Sequence, residues 1–347
     1  MKLSERDRKV LEAVITDYVE SGEPVGSRTI ARRYGLSVSS ATIRNVMADL
    51  EEVGLLTQPH TSAGRVPTEK GLRVYIDSIM QLKELESGER ERIREAFRDA
   101  RGDTAELLRR SSRVLSSISR QAGLVLRPRL SASRFKHIEF VALKPGVILT
   151  VLISRSGIVH HTVVEWEEEV DQRDLDKYGA ELNELLQDVP LSQARERILE
   201  EMRREKALFD QLFARVLSLS QRALESTAET SDVYIEGQTN LLRSPEFADV
   251  ERMRRILEAF EDRSRIVRLL DRALLAPNRV QVILGPEGDL QELGEVGLVS
   301  SVYGSGGTAL GVLGVIGPRR MDYSRIVPVV EFTARMLSEL LEEPEAP

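Results

Sequence analysis

The residue types best suited to chemistry in this chain stand close together near its start. Ser39, Ser40, Thr42, Arg44 and Asn45 fall in one short run, with Ser27 and Arg28 shortly before it. A guanidinium presents a planar fork of donors, and a carboxamide presents a donor beside an acceptor. Those shapes match the major-groove edges of guanine and adenine, while serine and threonine hydroxyls suit bases or phosphates. His60, Ser62 and Arg65 follow on a glycine-containing turn, where a cation suits the sugar-phosphate backbone or the minor groove. Other familiar chemistries lack their parts. Cysteine is absent, which excludes disulfides, thiolate nucleophiles and sulfur-held zinc. His60, His137, His160 and His161 show neither HxxxH nor HExxH spacing, so no metal, cofactor or catalytic set is expected. Tyr303-Gly304-Ser305-Gly306-Gly307-Thr308 lacks both the P-loop lysine and the GxGxxG order, and reads as a turn.

Three helices and a hairpin must position the first cluster. Glu5–Glu20 is a helix capped by Ser4, with Val10, Leu11, Val14, Ile15 and Tyr18 on its inner stripe. Arg28–Tyr34 is a second helix, expected to be capped by Ser27 and ended by Gly35. Leu36-Ser37-Val38 is the length of a helix-turn-helix connection. The third helix runs from about Ser40 to Val53, with Ile43, Val46, Met47, Leu50 and Val53 turned inward. A wing then follows: strand Gly54–Gln58, tip Thr61–Arg65 and return Val66–Thr68. Thr68 caps a supporting helix, Glu69–Leu82. One such polar helix face alone is as readily a plain solvated surface. The two-helix frame before it and the wing behind it favour a winged helix-turn-helix whose third helix enters the major groove.

The overall charge of −7 looks wrong for such a role, but its distribution matters more. Between Arg28 and Arg73 there are seven basic residues and four acidic ones, a net of about +3 inside an acidic chain. Beyond the wing, residues 83–123 read as helical, and Leu107, Leu108, Val114, Leu115 and Ile118 share a face. Phe135–Leu143, Val147–Ile153 and Ile158–Trp166 read as strands, and His160 and His161 on the third would point to opposite faces. Residues 172–228 return to helical periodicity. Val233–Glu236, Val280–Leu284, Leu298–Tyr303 and Leu310–Ile316 are further strands, with helices at Val250–Leu275 and Ile326–Leu341.

The fold class expected is therefore α+β and multidomain. Residues 1–83 form the DNA-reading unit and 84–104 a helical connector. Residues 105–170 with 233–341 form an α/β domain, 171–232 an inserted helical domain and 342–347 a tail. The apolar stripe of Leu191–Leu224 either completes an internal core or covers a second copy. Arg319-Arg320-Met321-Asp322-Tyr323 either binds an anion or ties a strand-to-helix corner to a neighbouring domain. No run of about 20 apolar residues and no signal-peptide pattern is present, so a cytoplasmic protein with no membrane partner is expected.

These residues resemble the HrcA family of heat-inducible transcription repressors. The motifs that carry the resemblance begin with Pro24-Val25-Gly26-Ser27, Ser40–Asn45, Leu50-Glu51 and Gly54-Leu55-Leu56. The wing run Gln58–Thr68 and Gly71–Tyr75 are the most specific, and Asn240-Leu241-Leu242, Pro245-Glu246-Phe247 and Gly314–Tyr323 extend the match through the body. Residues 85–135 and 170–230 match loosely. The chain departs from the family at Pro286-Glu287-Gly288, where an x-Glu-Asn run is usual, and along Val296–Val302.

The resemblance implies a winged helix, a GAF-like domain and an inserted dimerisation domain. It further implies a homodimer that binds double-stranded DNA at the CIRCE inverted repeat and represses chaperone operons, with the GroE chaperonin as a partner. The alternative is a winged-helix regulator that senses a ligand in a GAF-like pocket. An enzyme is not expected.

Overall fold

The computed structural model describes residues 3–60, 63–98, 103–128, 133–165, 170–204, 233–243, 247, 249–275, 280–285, 296–305 and 308–342. They form a head, a body and an insert.

The head comprises α1 (Glu5–Ser21), α2 (Ser27–Arg33), α3 (Ser40–Glu52), β1 (Leu56–Thr57), β2 (Val66–Pro67) and α4 (Glu69–Ser78). A reciprocal cap starts α1: Asp7 N donates to Ser4 Oγ over 3.2 Å, and Ser4 N donates to Asp7 Oδ2 over 2.9 Å. Gly22, at φ 73°, ends it. The second cap differs from expectation. Gly26 is the N-cap of α2, and Ser27 is already helical. The reason is tertiary, because Val25 is held extended by a β-bridge to Arg65. Val10, Leu11, Val14, Ile15, Ile30, Ile43, Val46, Met47 and Leu50 are buried together, as the helical periodicity required.

After the connector helix α5 (Ser87–Phe97), the body is built from α6 (Thr104–Ser119), β3 (Ala122–Leu126), β7 (Val233–Glu236), α9 (Val250–Glu261), α10 (Arg263–Leu275), β8 (Val280–Leu284), β9 (Val296–Ser305), β10 (Thr308–Pro318) and α11 (Tyr323–Glu342). Its sheet is antiparallel throughout, in the order β7-β3-β10-β9-β8. Alternation of side chains feeds two cores. Val125, Val299, Leu313 and Val315 pack with α6, α11 and the head. Leu124, Leu126, Leu298, Val312 and Ile316 pack with α9 and α10. The stretch read as helical to residue 123 overruns the start of β3, whose apolar run is buried on both faces and so lacks the alternation of a half-buried strand. The glycine-rich segment near Gly304 lies at the β9–β10 hairpin, where Ser305 pairs with Thr308.

The insert lies between β3 and β7 and has its own sheet, β4 (Phe135–Lys144), β5 (Val147–Ser154) and β6 (Val159–Glu165). Phe135, Ile138, Phe140, Ile148 and Leu152 share a core with α7 (Gln172–Leu185) and α8 (Leu191–Arg204), through Leu175, Tyr178, Leu182 and Ile198. The division expected at residues 170 and 171 therefore does not follow the sheets. Among the described residues these three strands are not hydrogen-bonded to the body sheet, and they share a core with the helices after them in the chain. Phe209, Leu212, Phe213, Val216, Leu217 and Leu224, from the long apolar stripe, lie outside the described residues.

Candidate nucleic-acid interface

The third helix of the head is organised for contact along one exposed strip. Ala41, Arg44, Asn45 and Ala48 recur at helical spacing and are all exposed. The side chains of Arg44 and Asn45 have no hydrogen bond or ion pair among the described residues. Small alanines on either side leave the guanidinium and the carboxamide free of crowding. Arg28 on α2 is likewise exposed, and so is Arg32, one turn further on. Sequence reasoning passed over Arg32, although its spacing from Arg28 was the available signal.

Ser39 and Thr42 do different work from Arg44. Ser39 is the N-cap of α3, accepting from Thr42 N at 3.1 Å, and the two hydroxyls lie 3.0 Å apart. They are half committed to the helix start, and each hydroxyl retains further hydrogen-bonding capacity. Ser40 and Ser27 are half-buried. His60 is exposed at the base of the wing turn, its carbonyl accepting from Ala63 N at 2.9 Å. Ser62 lies outside the described residues.

Arg65 is placed differently from a free wing-tip cation. Its side chain is 20% exposed, and Nε lies 2.8 Å from Glu51 Oε2 in an ion pair that is not aligned as a hydrogen bond. Its backbone pairs with Val25 in both directions, at 2.8 and 2.9 Å. Gly64 permits this approach, since a Cβ there would stand 2.3 Å from Val25 O. The wing is thus fastened to the segment before α2 and to the end of α3.

Those fastenings answer an electrostatic need. α3 carries no basic residue in its last turn, and Asp49, Glu51 and Glu52 sit there against the negative end of the helix dipole. Cations from elsewhere compensate. Lys70 Nζ donates to Val53 O over 2.9 Å, and Arg65 faces Glu51. Thr68 Oγ1 donates to Gly54 O over 2.7 Å. Behind α2, Arg33 is clamped by Asp17 and by Glu20. Burial first, then those two carboxylates, pushes the Tyr34 phenol up to about 12. Asp17, Glu20 and Glu51 are thus each paired with an arginine, while Arg28, Arg32 and Arg44 stand exposed on α2 and α3.

The head also meets the body. Arg320 Nη1 donates to Val19 O over 3.0 Å, Arg73 Nη1 donates to Val282 O over 3.0 Å, and Lys83 Nζ reaches Asp322 Oδ2 at 2.8 Å. Burial opposes ionisation of Asp322, but hydrogen bonds from Lys83 and Ser324 outweigh it and hold the carboxyl below its ordinary value. The Arg319–Tyr323 run therefore ties a strand-to-helix corner to a neighbouring unit, one of its two expected roles. A cavity of about 1020 Å³ borders it, lined by residues that include Arg120, Asn240 and Arg325.

Residues 2–78 match the family model described as "Winged helix-turn-helix transcription repressor, HrcA DNA-binding", and residues 105–327 match "HrcA protein C terminal domain". A protein of Syntrophobacter fumaroxidans named heat-inducible transcription repressor HrcA is 65% identical over 342 residues, which is 99% of this chain and 98% of that protein. The chain belongs to the HrcA family. HrcA of Geobacter sulfurreducens is 48% identical over 98% of both chains. A solved structure described as a hypothetical protein shares the fold, with a TM-score of 0.60 at 23% identity, covering 98% of this chain and 99% of that one. This HrcA-family chain is thus a transcription repressor with a winged-helix DNA-binding domain, and that family is not an enzyme class. Among the described residues no helix is long and apolar enough to cross a membrane.

Proposed function

We propose that two copies of this chain bind the CIRCE inverted repeat and repress chaperone operons, and that heat stress releases them. The observation that carries the reading is the exposed Ala41-Arg44-Asn45-Ala48 strip on a helix braced from behind. Arg44 and Asn45 read base edges. Ser27, Arg28, Ser39, Ser40, Thr42, His60 and Ser62 serve phosphates or bases at the margins. Arg65 holds Glu51 through Nε, which leaves its terminal nitrogens for the backbone.

An inverted repeat asks for two heads related by a two-fold axis. The outer face of the insert supports a dimer as well as the expected 171–232 helices. Leu149, Val151 and Ile153 are half-buried there, in register with Val163, His161 and Val159. Val159 is 56% and Val163 55% exposed. The GAF-like reading of the body belongs to this proposal, supported by an antiparallel sheet between two helical layers. So does restoration of the active dimer by the GroE chaperonin.

The test is binding to a CIRCE duplex against a scrambled one at fixed salt, because phosphate contacts alone depend steeply on salt. Wild type should prefer the repeat, and Arg44→Ala should lose about 1–3 kcal/mol of that preference. Equal binding of both duplexes by wild type defeats the operator reading.

A further inference from the structure

We propose that the corner between β10 and α11 is a clamp that fixes the head on the body, and that Arg320 positions the two heads of a dimer for one half-site spacing. This rests on the two-headed operator reading above.

The clamp grips the end of α1. That helix has no basic residue in its last turn, so its terminal carbonyls and negative dipole end lack a cation of their own. Arg320 supplies it from 301 positions away, donating Nη1 to Val19 O at 3.0 Å. The guanidinium lies flat against Gly22, where a Cβ would stand 3.2 Å from its Cζ. Gly22 also adopts a positive φ of 73°, so two requirements meet at one residue.

Two further attachments come from other elements of the same region. Lys83 is held twice, by Asp322 Oδ2 at 2.8 Å and through its backbone N to Ser324 O at 3.0 Å. Glu89 on α5 accepts from Arg325 Nε at 3.0 Å and Nη2 at 2.5 Å, and its side chain is only 4% exposed. The corner is itself stiff, because Tyr323 OH donates to Arg319 O over 2.7 Å. One apolar core continues beneath, from Leu72, Tyr75 and Ile76 to Met321, Ile326 and Val327.

A single flexible tether would let the heads adjust to any operator. Attachments on α1 and on the segment after α4, with α5 held just beyond, restrain the head at more than one point. The cavity bordered by Val19, Glu20 and Arg320 leaves one side of this joint without packed side chains. Orientation there depends on the polar contacts. Lys83 and Asp322 are 59% and 39% exposed, so that pair alone contributes little, and Arg320 is the stronger lever.

The experiment uses the full chain with Arg320→Met, Lys83→Met and both together, on a CIRCE half-site and on repeats whose spacer changes one base pair at a time. Half-site binding should stay within about twofold of wild type. Across the spacer series wild type should fall at least about tenfold from its best length, and the double variant less than about threefold. Arg320→Lys, which keeps a donor, should recover most of the wild-type profile. A second readout exploits the absence of cysteine. Lys9→Cys and Glu339→Cys carry spin labels in one protomer of a mixed sample, and their distance distribution should broaden in the double variant. An unchanged spacer profile overturns the clamp. If wild type itself binds all spacers alike, the two-headed reading and the spacing role both fail. The label distances then decide the clamp alone, and an unbroadened distribution overturns it.

Discussion

The head and the insert bury similar apolar cores and turn opposite surfaces outward. The head exposes Arg28, Arg32, Arg44 and Asn45, and pairs Asp17, Glu20 and Glu51 with arginines. The insert exposes Val159 and Val163 on a sheet whose other face is sealed by α7 and α8. Water tolerates the first surface indefinitely, and a polyanion improves on it by releasing counterions. The second keeps apolar area in contact with water, at a cost of roughly 25 cal/mol per Å². One surface is suited to nucleic acid and the other to protein.

Loading the insert with charge should break this division most severely. Val159→Asp with Val163→Asp should raise the dimer dissociation constant by more than about a hundredfold in sedimentation, since charge is depleted from interface cores. The isolated fold of each protomer, followed by circular dichroism, should persist. A doubly substituted chain that remains fully dimeric would show that this face lies outside the interface.

Gly64→Ala sharpens the contrast from the other side. Its Cβ meets the Val25 carbonyl at 2.3 Å, so the wing must leave the bridge that holds Arg65. A loss of about 1–3 kcal/mol from the stability of the head is expected, with operator binding reduced and dimerisation unchanged. Denaturant melts of the full chain, run beside sedimentation, separate the two effects.

The smallest expected effect is a pH dependence confined to the insert. Burial, then His161 and Arg127, lowers the pKa of His160 on β6. The fold therefore favours the neutral ring. Stability from this group is full above the ordinary value near 6.5 and declines as pH falls from there through the lowered value. His160→Gln should flatten that decline in melts between about pH 7 and pH 5. An unaltered slope would assign the dependence to another group.

The helices and the wing were legible from sequence because their determinants are local. Ser4, Ser39 and Thr68 each cap a helix through the backbone N–H three positions further on, and the burial of Val10, Leu11, Val14, Ile15 and Ile43 reflects 3.6-residue periodicity. The candidate reading strip was legible for the same reason, since exposure of Arg44 and Asn45 is set by which residues face inward. The pairing of Arg65 with Glu51 was not legible, because Glu51 lies on another element.

Sequence by itself thus determined the head, its third helix and the polarity of each helix face, because those depend on neighbours within one or two turns. Only the tertiary structure decided that β3 lies between β7 and β10 in the body sheet and that β4–β6 stand apart from it. It also decided that Arg320 closes a helix 301 positions away. Pairing between distant segments depends on which surfaces meet. A one-dimensional pattern records that a strand is apolar, and not which strand lies beside it.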